Sequence, residues 1–494
     1  MGVGGRRLEH PTTAMTVRDA IVIGSGPNGL AAAITLAEAG ASVLVVEAHD
    51  EVGGGMRTRE LTLPGFHHDV CSACHPTGIL SPLFSRLPLA KHGLEWVQSD
   101  LSVAHPLDDQ PAVLLQKDID ATAEGLGRDA DRYRQLVQPF VERGPELLQD
   151  ALAPLQVPQA PLLLARFGLT TLRSASSMAR SFSDDRARAL LAGCAGHATQ
   201  PLDHMLTAAM TLVFLVTAHL ENWPVARGGS ASIARALASY FRSLGGEIET
   251  GTRVTSLDEL PPSRVVLFDT APDQLARMGA PHLPSSYVRA LQRYTYGPGS
   301  FKIDWALDGP IPWADPAVAR AATVHLGGTL QEIEASERAA WDGHHSDNPY
   351  VLLVQQSMLD STRAPPGQHT GYAYCHVPHG STQDMTEVIE RQVERFAPGF
   401  RDRILARHTM NTQQLHRYSA NYVGGAVTGG SADITQLFTR PVPRLDPYST
   451  PNPRLFLCSA STPPGGGVHG MCGYYAARSA LRAIGRLQRQ LPMR

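Results

Sequence analysis

The 494 residues are 43% hydrophobic and 18% charged, a composition that fits a folded chain with a large core and excludes a disordered or wholly membrane-embedded one. A formal net charge of −3 gives no basic surface for nucleic acid, and lysine occurs only at Lys91, Lys117 and Lys302. Six cysteines in a chain of this length do not make a disulfide framework.

Residues 1–18 have no apolar core and do not read as a secretory signal; they are expected to form a disordered leader, with Met15 as an alternative start. Residues 20–47 then read AIVIGSGPNGLAAAITLAEAGASVLVVE. The apolar run 20–23 predicts a buried strand, and Gly24, Gly26 and Gly29 follow at G-x-G-x-x-G spacing with Pro27 and Asn28 between them. Leu30, Ile34 and Ala37 keep helical spacing, Gly40 ends the helix, and 42–46 returns as a parallel strand. Glu47 closes that strand, where a carboxylate can accept hydrogen bonds from a ribose diol. The pattern predicts a dinucleotide-binding unit; a glycine-rich turn in an ordinary α/β domain would not need the acid.

Further along, Cys71 and Cys74 have the C-x-x-C form of a redox dithiol or half a zinc site. No second pair or finger-spaced histidines follow, so two buried thiols are expected. Residues 122–220 are mostly helical, punctuated by prolines from Pro139 to Pro201. Within them, 205–220 is free of formal charge but shorter than the ~20 residues of a membrane span. It is expected to be a core helix lining a substrate cavity, with a surface-dipping lid as the alternative. Gly228 and Gly229 open a helix over 230–244, followed by a strand over 247–255. SFKIDWAL (300–307) alternates strictly, with Phe301, Ile303, Trp305 and Leu307 on one face, and predicts a half-buried strand of an antiparallel sheet joined by 351–355 and 370–377. The chain closes with a short strand, a Pro/Gly-rich turn and a helix whose apolar face is Ala477, Ala480, Leu481, Ile484, Leu487 and Leu491.

Two of these segments carry a family likeness. EAHDEVGGG (47–55), with Gly53, Gly54 and Gly55, resembles the E-x-x-x-x-x-G-G motif of FAD-binding oxidoreductases of the glutathione-reductase structural type. STPPGGGVHG (461–470) resembles the turn that carries a helix N-terminus under the flavin in phytoene desaturases and carotenoid isomerases. The segments LPGFHHDVCSACHP (63–76), GPGSFKIDWALDGPIPW (297–313) and 374–400 are similar to phytoene dehydrogenase-related oxidoreductases, the branch with the bacterial relatives of pyridine nucleotide-disulfide oxidoreductase domain-containing protein 2.

The resemblance implies an α/β fold: a Rossmann-like FAD-binding domain with an interleaved substrate domain of antiparallel sheet plus helices. The FAD domain would comprise 19–100, 225–280 and 441–494; the substrate part would comprise a mostly helical 101–224 and a second segment, 281–440. It implies non-covalent FAD at Gly24, Gly26, Pro27, Asn28, Gly29, Glu47, Ala48, Gly53, Gly54, Gly55, Arg57, Val254, Ser461, Gly467, Val468 and His469. Many relatives have arginine where Gly55 stands; Arg57 would then either reach the pyrophosphate or be a surface arginine. Val254 would offer backbone to the adenine or be plain core. Cys472 lies near the flavin turn without an attachment motif.

His469 is the first candidate for acid–base work, as a neutral imidazole at a positive helix end; its alternative is packing or backbone bonding. His67, His68 and Asp69 come next, then His376, His379 and Tyr422. The implied enzyme is an oxidoreductase, a dehydrogenase or desaturase acting on C–C bonds of a bulky apolar molecule and passing electrons to oxygen, a quinone or another acceptor. Its rivals are a redox-neutral flavin isomerase, a flavin-bound interaction protein and, on fold grounds, an amine oxidase. The expected location is the cytoplasm, with peripheral membrane contact as an alternative; no nucleic-acid partner is expected, and the oligomeric state is left open.

Overall fold

The computed structural model describes residues 17–437 and 439–490, with side chains to residue 486. Residues 1–16 of the leader expected over 1–18, and Leu491, lie outside the described residues, as does the side chain of Leu487; Arg18 already belongs to the first strand.

Two sheets organise the chain. The first is all parallel, in the order Leu455–Leu457, Ser263–Phe268, Arg18–Ile23, Val43–Val46, Glu247–Glu249. Its strands are near-continuous apolar runs because helices cover both faces; Ala20, Val22, Val45 and Leu267 are fully buried. Helix Pro27–Glu38 starts on Gly26 with proline, which has no N–H, in its first turn; Gly29 N–H goes to Asp269 and Leu30 N–H to Gly26 O, which leaves Asn28 N–H without an acceptor among the described residues. The C-terminal helix Met471–Gln490 packs on it, and at Gly473 a Cβ would stand 1.8 Å from Asn28 O. The strands of this sheet all end at one edge, where Gly24, Glu47, Asp269 and Cys458 continue the ladder by backbone bonds of 2.8–2.9 Å. That edge is where an open parallel sheet receives ligands.

The second sheet has seven strands in the order Ile404–Met410, Gly299–Leu307, His369–Val377, Val351–Val354, Ala321–Leu326, Leu101–Leu107, Gln110–Gln116. All pairings are antiparallel except that of Ala321–Leu326 with Leu101–Leu107. Strand Gly299–Leu307 departs from the half-buried expectation, since all nine of its residues are buried. Phe301, Ile303, Trp305 and Leu307 pack with Ile389, Val393 and Phe396 of helix Thr386–Phe396. On the opposite face Ser300 and Lys302 reach a cavity, and Asp304 is buried with them.

The strand expected over 247–255 stops at Glu249. Gly251, at φ 70°, turns the chain so that its N–H and that of Thr252 donate to His49 O and Glu47 O. The apolar stretch near 205–220 is helix Thr207–Glu221, with Thr211, Leu212, Leu215 and Val216 fully buried, so it is an inner helix rather than a lid. No described helix is long and apolar enough to cross a membrane.

The contact at Gly473 has a direct consequence. Gly473→Ala should lower unfolding stability by ~1–3 kcal/mol through overpacking. Gly485→Ala in the same helix, with nothing near its Cβ position, should raise stability by ~0.5–1 kcal/mol. Urea titrations of both variants check the pair; a neutral Gly473→Ala would mean that the helices are not in close contact there.

Candidate dinucleotide site and substrate cavity

The fingerprint turn is shaped by what its glycines lack. A Cβ on Gly24, itself at φ 101°, would lie 2.9 Å from Asp269 O; one on Gly26 would lie 2.6 Å from Asp269 Oδ2; one on Gly29 would lie 2.2 Å from Gly24 O. The turn therefore seats directly on the end of strand Ser263–Phe268. Gly29 N–H donates to Asp269 Oδ2 at 2.9 Å. Burial, aided by the nearby charge of Glu47, lifts the Asp269 carboxyl to about 8. Sequence reasoning did not single out Asp269; its signal was its place as the first residue after a buried parallel strand.

Glu47 lies beside this turn. Its Oε2 accepts from Ser25 N–H at 2.9 Å and from the Ser25 hydroxyl at 2.5 Å, and its Oε1 accepts from His49 N–H at 2.9 Å. Arg57 Nη2 stands 3.2 Å from Oε1. The surface-arginine alternative for Arg57 does not hold: the residue is 1% exposed and donates to Glu51 O and Gly54 O. At Gly55 a Cβ would stand 2.6 Å from the Tyr422 hydroxyl, so a larger side chain there would displace Tyr422.

Two joined cavities run along this edge. The smaller, ≈ 90 Å³, is bounded by Gly24, Glu47, Ala48, Arg57 and Val254, with Thr252 and Arg253 beside them. The larger, ≈ 320 Å³, takes in Pro27, Asn28, Gly55, Ser461, Gly467 and Val468. Both are bounded by Gly26, Gly54, Asp269, Ser419 and Asn421, so they meet at the helix N-terminus. Gly29 and Gly53 line neither cavity and serve packing; Gly53 faces Ala234. The loop carrying Tyr418 and Asn421 fastens the junction, with Tyr418 OH donating to Gly54 O and Asn421 Nδ2 to Asp269 O, both at 3.0 Å. No pattern in the sequence marked that loop.

His469 is corrected. Its side chain lines neither cavity; Nδ1 accepts from Met471 N–H at 3.0 Å, and burial lowers the imidazole to about 4. It caps the last helix, which is the backbone-bonding alternative. Cys472 is likewise turned inward, donating to Thr462 O and Gly465 O.

The other acid–base candidates also have structural partners. Asp69 is buried against Arg363 at 2.7 Å; burial would raise its carboxyl, but the guanidinium outweighs that and holds it low. His68 Nε2 is 2.7 Å from Thr62 Oγ1, and His376 Nδ1 is 2.6 Å from Glu337. His67 gives its carbonyl to Arg363, and His379 is exposed, with Nδ1 bonded to Gly297 O. Of this set only Tyr422 lines the larger cavity. Cys71 and Cys74 line it as free thiols, and burial pushes both up, Cys74 to about 12. They are therefore thiols rather than thiolates, and no described group of three or more His, Cys, Asp or Glu could hold a metal.

Two residues of the larger cavity that the sequence did not single out are Lys302 and His75. Lys302 Nζ pairs with Asp304 and lies 4.8 Å from the Tyr372 ring centre. Asp304 Oδ2 is 3.4 Å from His408 Nδ1; burial opposes its ionisation, but Lys302 and His408 keep it ionised below the usual range. Strand alternation places Lys302 opposite the Phe301 face, and that was readable. His75 lines the cavity with Nε2 2.9 Å from Ser230 Oγ. Because the Ser230 hydroxyl donates to Ser72 O, Nε2 is the donor and the lone pair sits on Nδ1, which is buried without a protein partner.

The raised Asp269 carboxyl predicts a pH dependence. Since the folded form holds its proton more tightly than the unfolded chain, this group's contribution to stability is complete at acid pH. It is lost as pH rises through about 8. Asp269→Asn apoprotein should match wild type in thermal melts at acid pH and exceed it at pH 8; identical melting curves at pH 8 would show that Asp269 is ionised there.

Comparison with known proteins agrees with this geometry. An NAD(P)-binding Rossmann-like domain matches residues 22–87. Pyridine nucleotide-disulfide oxidoreductase domain-containing protein 2 of Rattus norvegicus is 28% identical over 94% of both chains. Phytoene dehydrogenase of Streptomyces griseus is 27% identical over 78% of this chain and 77% of its own. The solved structure of an oxidoreductase from Methanosarcina mazei shares the fold, with a TM-score of 0.65 at 17% identity over 94% of this chain and 100% of that one. Near-complete alignment with the first of these relatives, with the fingerprint turn in place, makes this chain similar to phytoene dehydrogenase-related oxidoreductases along most of its length.

Proposed function

We propose that the protein holds one FAD non-covalently along the two joined cavities and oxidises a C–C bond of a bulky apolar molecule in the larger one. The observation that supports this most is the pairing itself: a narrow polar cavity at Glu47 and Arg57 runs through the helix N-terminus into a broad one walled by Ala73, Phe214, Trp223, Leu352, Val354 and Leu415. When bound, FAD would supply a two-electron acceptor at N5 for hydride leaving a substrate carbon.

The chain's own groups provide the rest. The Asn28 N–H and the positive end of helix Pro27–Glu38 would face the pyrophosphate, and the Asp269 carboxyl, raised to about 8, would not repel it. Lys302 and Asp269 are the lysine and the carboxyl among the described residues of the larger cavity. Apolar walls exclude water. His75 Nδ1 offers a lone pair for a substrate proton. Burial lowers this imidazole to about 4 while Asp69, which accepts from Ser230 N–H, acts in the raising direction, so the proton would be held only transiently.

Heating should release FAD, and NADH or NADPH should bleach it slowly in anaerobic stopped flow; recovery of NAD or FMN, or fast bleaching by either nucleotide, would overturn the proposal. Glu47→Gln should weaken FAD retention by ~1–3 kcal/mol. His75→Asn should keep its FAD but lose ~10²-fold or more of the rate at which an apolar hydrocarbon substrate bleaches the flavin. An undiminished rate would remove His75 from the chemistry.

A further inference from the structure

Part of the larger cavity's wall comes from the helical region and the second sheet, and two polar groups there are left uncommitted. Tyr374 and His197 both line the cavity. Among the described residues the Tyr374 hydroxyl has no hydrogen-bond partner, and His197 has one, at Nε2, which leaves its Nδ1 without one. The two residues stand over the same stretch of sheet. Tyr374 is paired across strands with Leu352, and Leu352 with His325, the partner of His197.

His197 is held in one orientation. Its Nε2 lies 3.0 Å from His325 Nε2, its ring packs on Phe214 at 4.4 Å between centres, and it meets Trp223 edge to face at 5.5 Å. The preceding helix, Asp185–Gly196, lies close on the sheet because two of its residues lack side chains. A Cβ on Gly193 would stand 2.6 Å from His325 Nδ1 and 2.8 Å from His105 Nδ1, and one on Gly196 would stand 2.2 Å from the Tyr350 ring. His105 and His325 line neither cavity. His105 donates from Nε2 to Gly328 O, and the Nδ1 atoms of both rings are buried without a partner. Aliphatic side chains would fill this row without the cost of unpaired polar atoms. The row meets the cavity at His197, and what it supplies there is a ring of fixed position with one uncommitted nitrogen.

We propose that Tyr374 and His197 bind a neutral oxygen function, a hydroxyl or a carbonyl, on an otherwise apolar substrate. The assignment rests on the larger cavity being the substrate cavity, and it narrows the substrate class. Tautomer chemistry supports it. If His197 donates its Nε2 proton to His325, Nδ1 accepts from a hydroxyl; if His325 donates, Nδ1 carries a proton and donates to a hydroxyl or a carbonyl. Burial pushes the Tyr374 phenol up, so it keeps its proton and donates to either oxygen. Charge argues against an ionised group. Burial lowers His197 to about 3, so it brings no positive charge, and Lys302 is already paired with Asp304. A carboxylate would enter this wall without a free counter-charge.

A matched set of bicyclic probes tests this on the protein as purified: decalin, its alcohol decalol, its ketone decalone and decalin carboxylate, titrated by isothermal calorimetry. Calorimetry needs neither turnover nor flavin. Absence of FAD from the protein therefore counts against the function proposed above, and absence of the preference counts against the oxygen site. At least one of decalol and decalone should bind wild type about tenfold or more tightly than decalin, because a site built to hydrogen-bond an oxygen is left with unpaired groups when the oxygen is missing. The carboxylate should bind no better than decalin. Y374F should erase the preference by weakening the oxygenated probes alone, whereas a merely structural Tyr374 would weaken decalin as much. H197F should do the same; should it fall in Tm, Y374F, which keeps the ring, carries the test. Equal binding of decalin and the oxygenated pair by wild type overturns the proposal, as do failure of both oxygenated probes to bind and a preference that survives in Y374F. Tightest binding of the carboxylate also overturns it, and would assign this wall to an anion through Lys302.

Discussion

The close seating of the fingerprint turn on the end of strand Ser263–Phe268 governs everything else at the site. Three positions are glycine because Asp269 and Gly24 already occupy the space of a side chain. Only with the turn that low does helix Pro27–Glu38 aim its N-terminal end along the sheet edge. Only then can helix Met471–Gln490 pack at Gly473 against the same helix. The first and last segments of the chain thus meet at one point, and the junction between the two cavities lies beside it. The loop at Tyr418 and Asn421, inserted from the far end of the second sheet, ties that junction to the turn by bonds to Gly54 O and Asp269 O.

Around the cavities, the buried charges come in pairs: Glu47 with Arg57, Asp69 with Arg363, and Lys302 with Asp304. Removing one member of such a pair strands the other in a medium of low dielectric, a cost of ~3–5 kcal/mol, whereas the intact pair adds little net stability. Their value is positional. The Arg363 pair anchors strand His67–Asp69 to the substrate sheet, and Asp69 through Ser230 N–H fixes the residue that sets the His75 tautomer. A network meant only for stability would be served as well by leucines. This one leaves a defined lone pair at an apolar wall.

Much of the dinucleotide half was legible because its signals are local. Strand, turn, helix and strand lie within residues 18–46, and each residue type answers a nearby steric or hydrogen-bonding need. The strands predicted over 247–255 and near the C-terminus fall in the same sheet, the first ending early at Glu249 where Gly251 turns the chain, while Ser263–Phe268, which pairs with Arg18–Ile23, was not predicted. The substrate half was less legible. His75 gains meaning only from Ser230, far along the chain, and Asn421 only from Asp269. His469 was misjudged because position after a glycine run does not tell which way a side chain turns. The helix start needed a capping acceptor, and the imidazole supplied it. Lys302 was overlooked for a different reason: a two-residue alternation reports which side chains share a face, not whether the second face is also buried.

That second buried face is the decisive difference between this sheet and an ordinary one-sided antiparallel sheet. When both faces are covered, polar residues on the inner side must be paired or must line a cavity, since leaving them unsatisfied costs ~1–3 kcal/mol each. On strand Gly299–Leu307 both outcomes occur: Asp304 is paired, and Ser300 and Lys302 line the cavity. The cavity is thus a consequence of strand pairing. Helix Thr207–Glu221 closes it with Phe214, and that helix is itself covered by Pro161–Thr171. Apolar side chains run from the cavity wall to the outer surface through two helical layers, while the buried Glu47–Arg57 pair stands at the other end of the joined cavities. Polarity therefore changes at the junction by Gly26 and Gly54, between the Glu47–Arg57 end and the apolar end of the joined cavities.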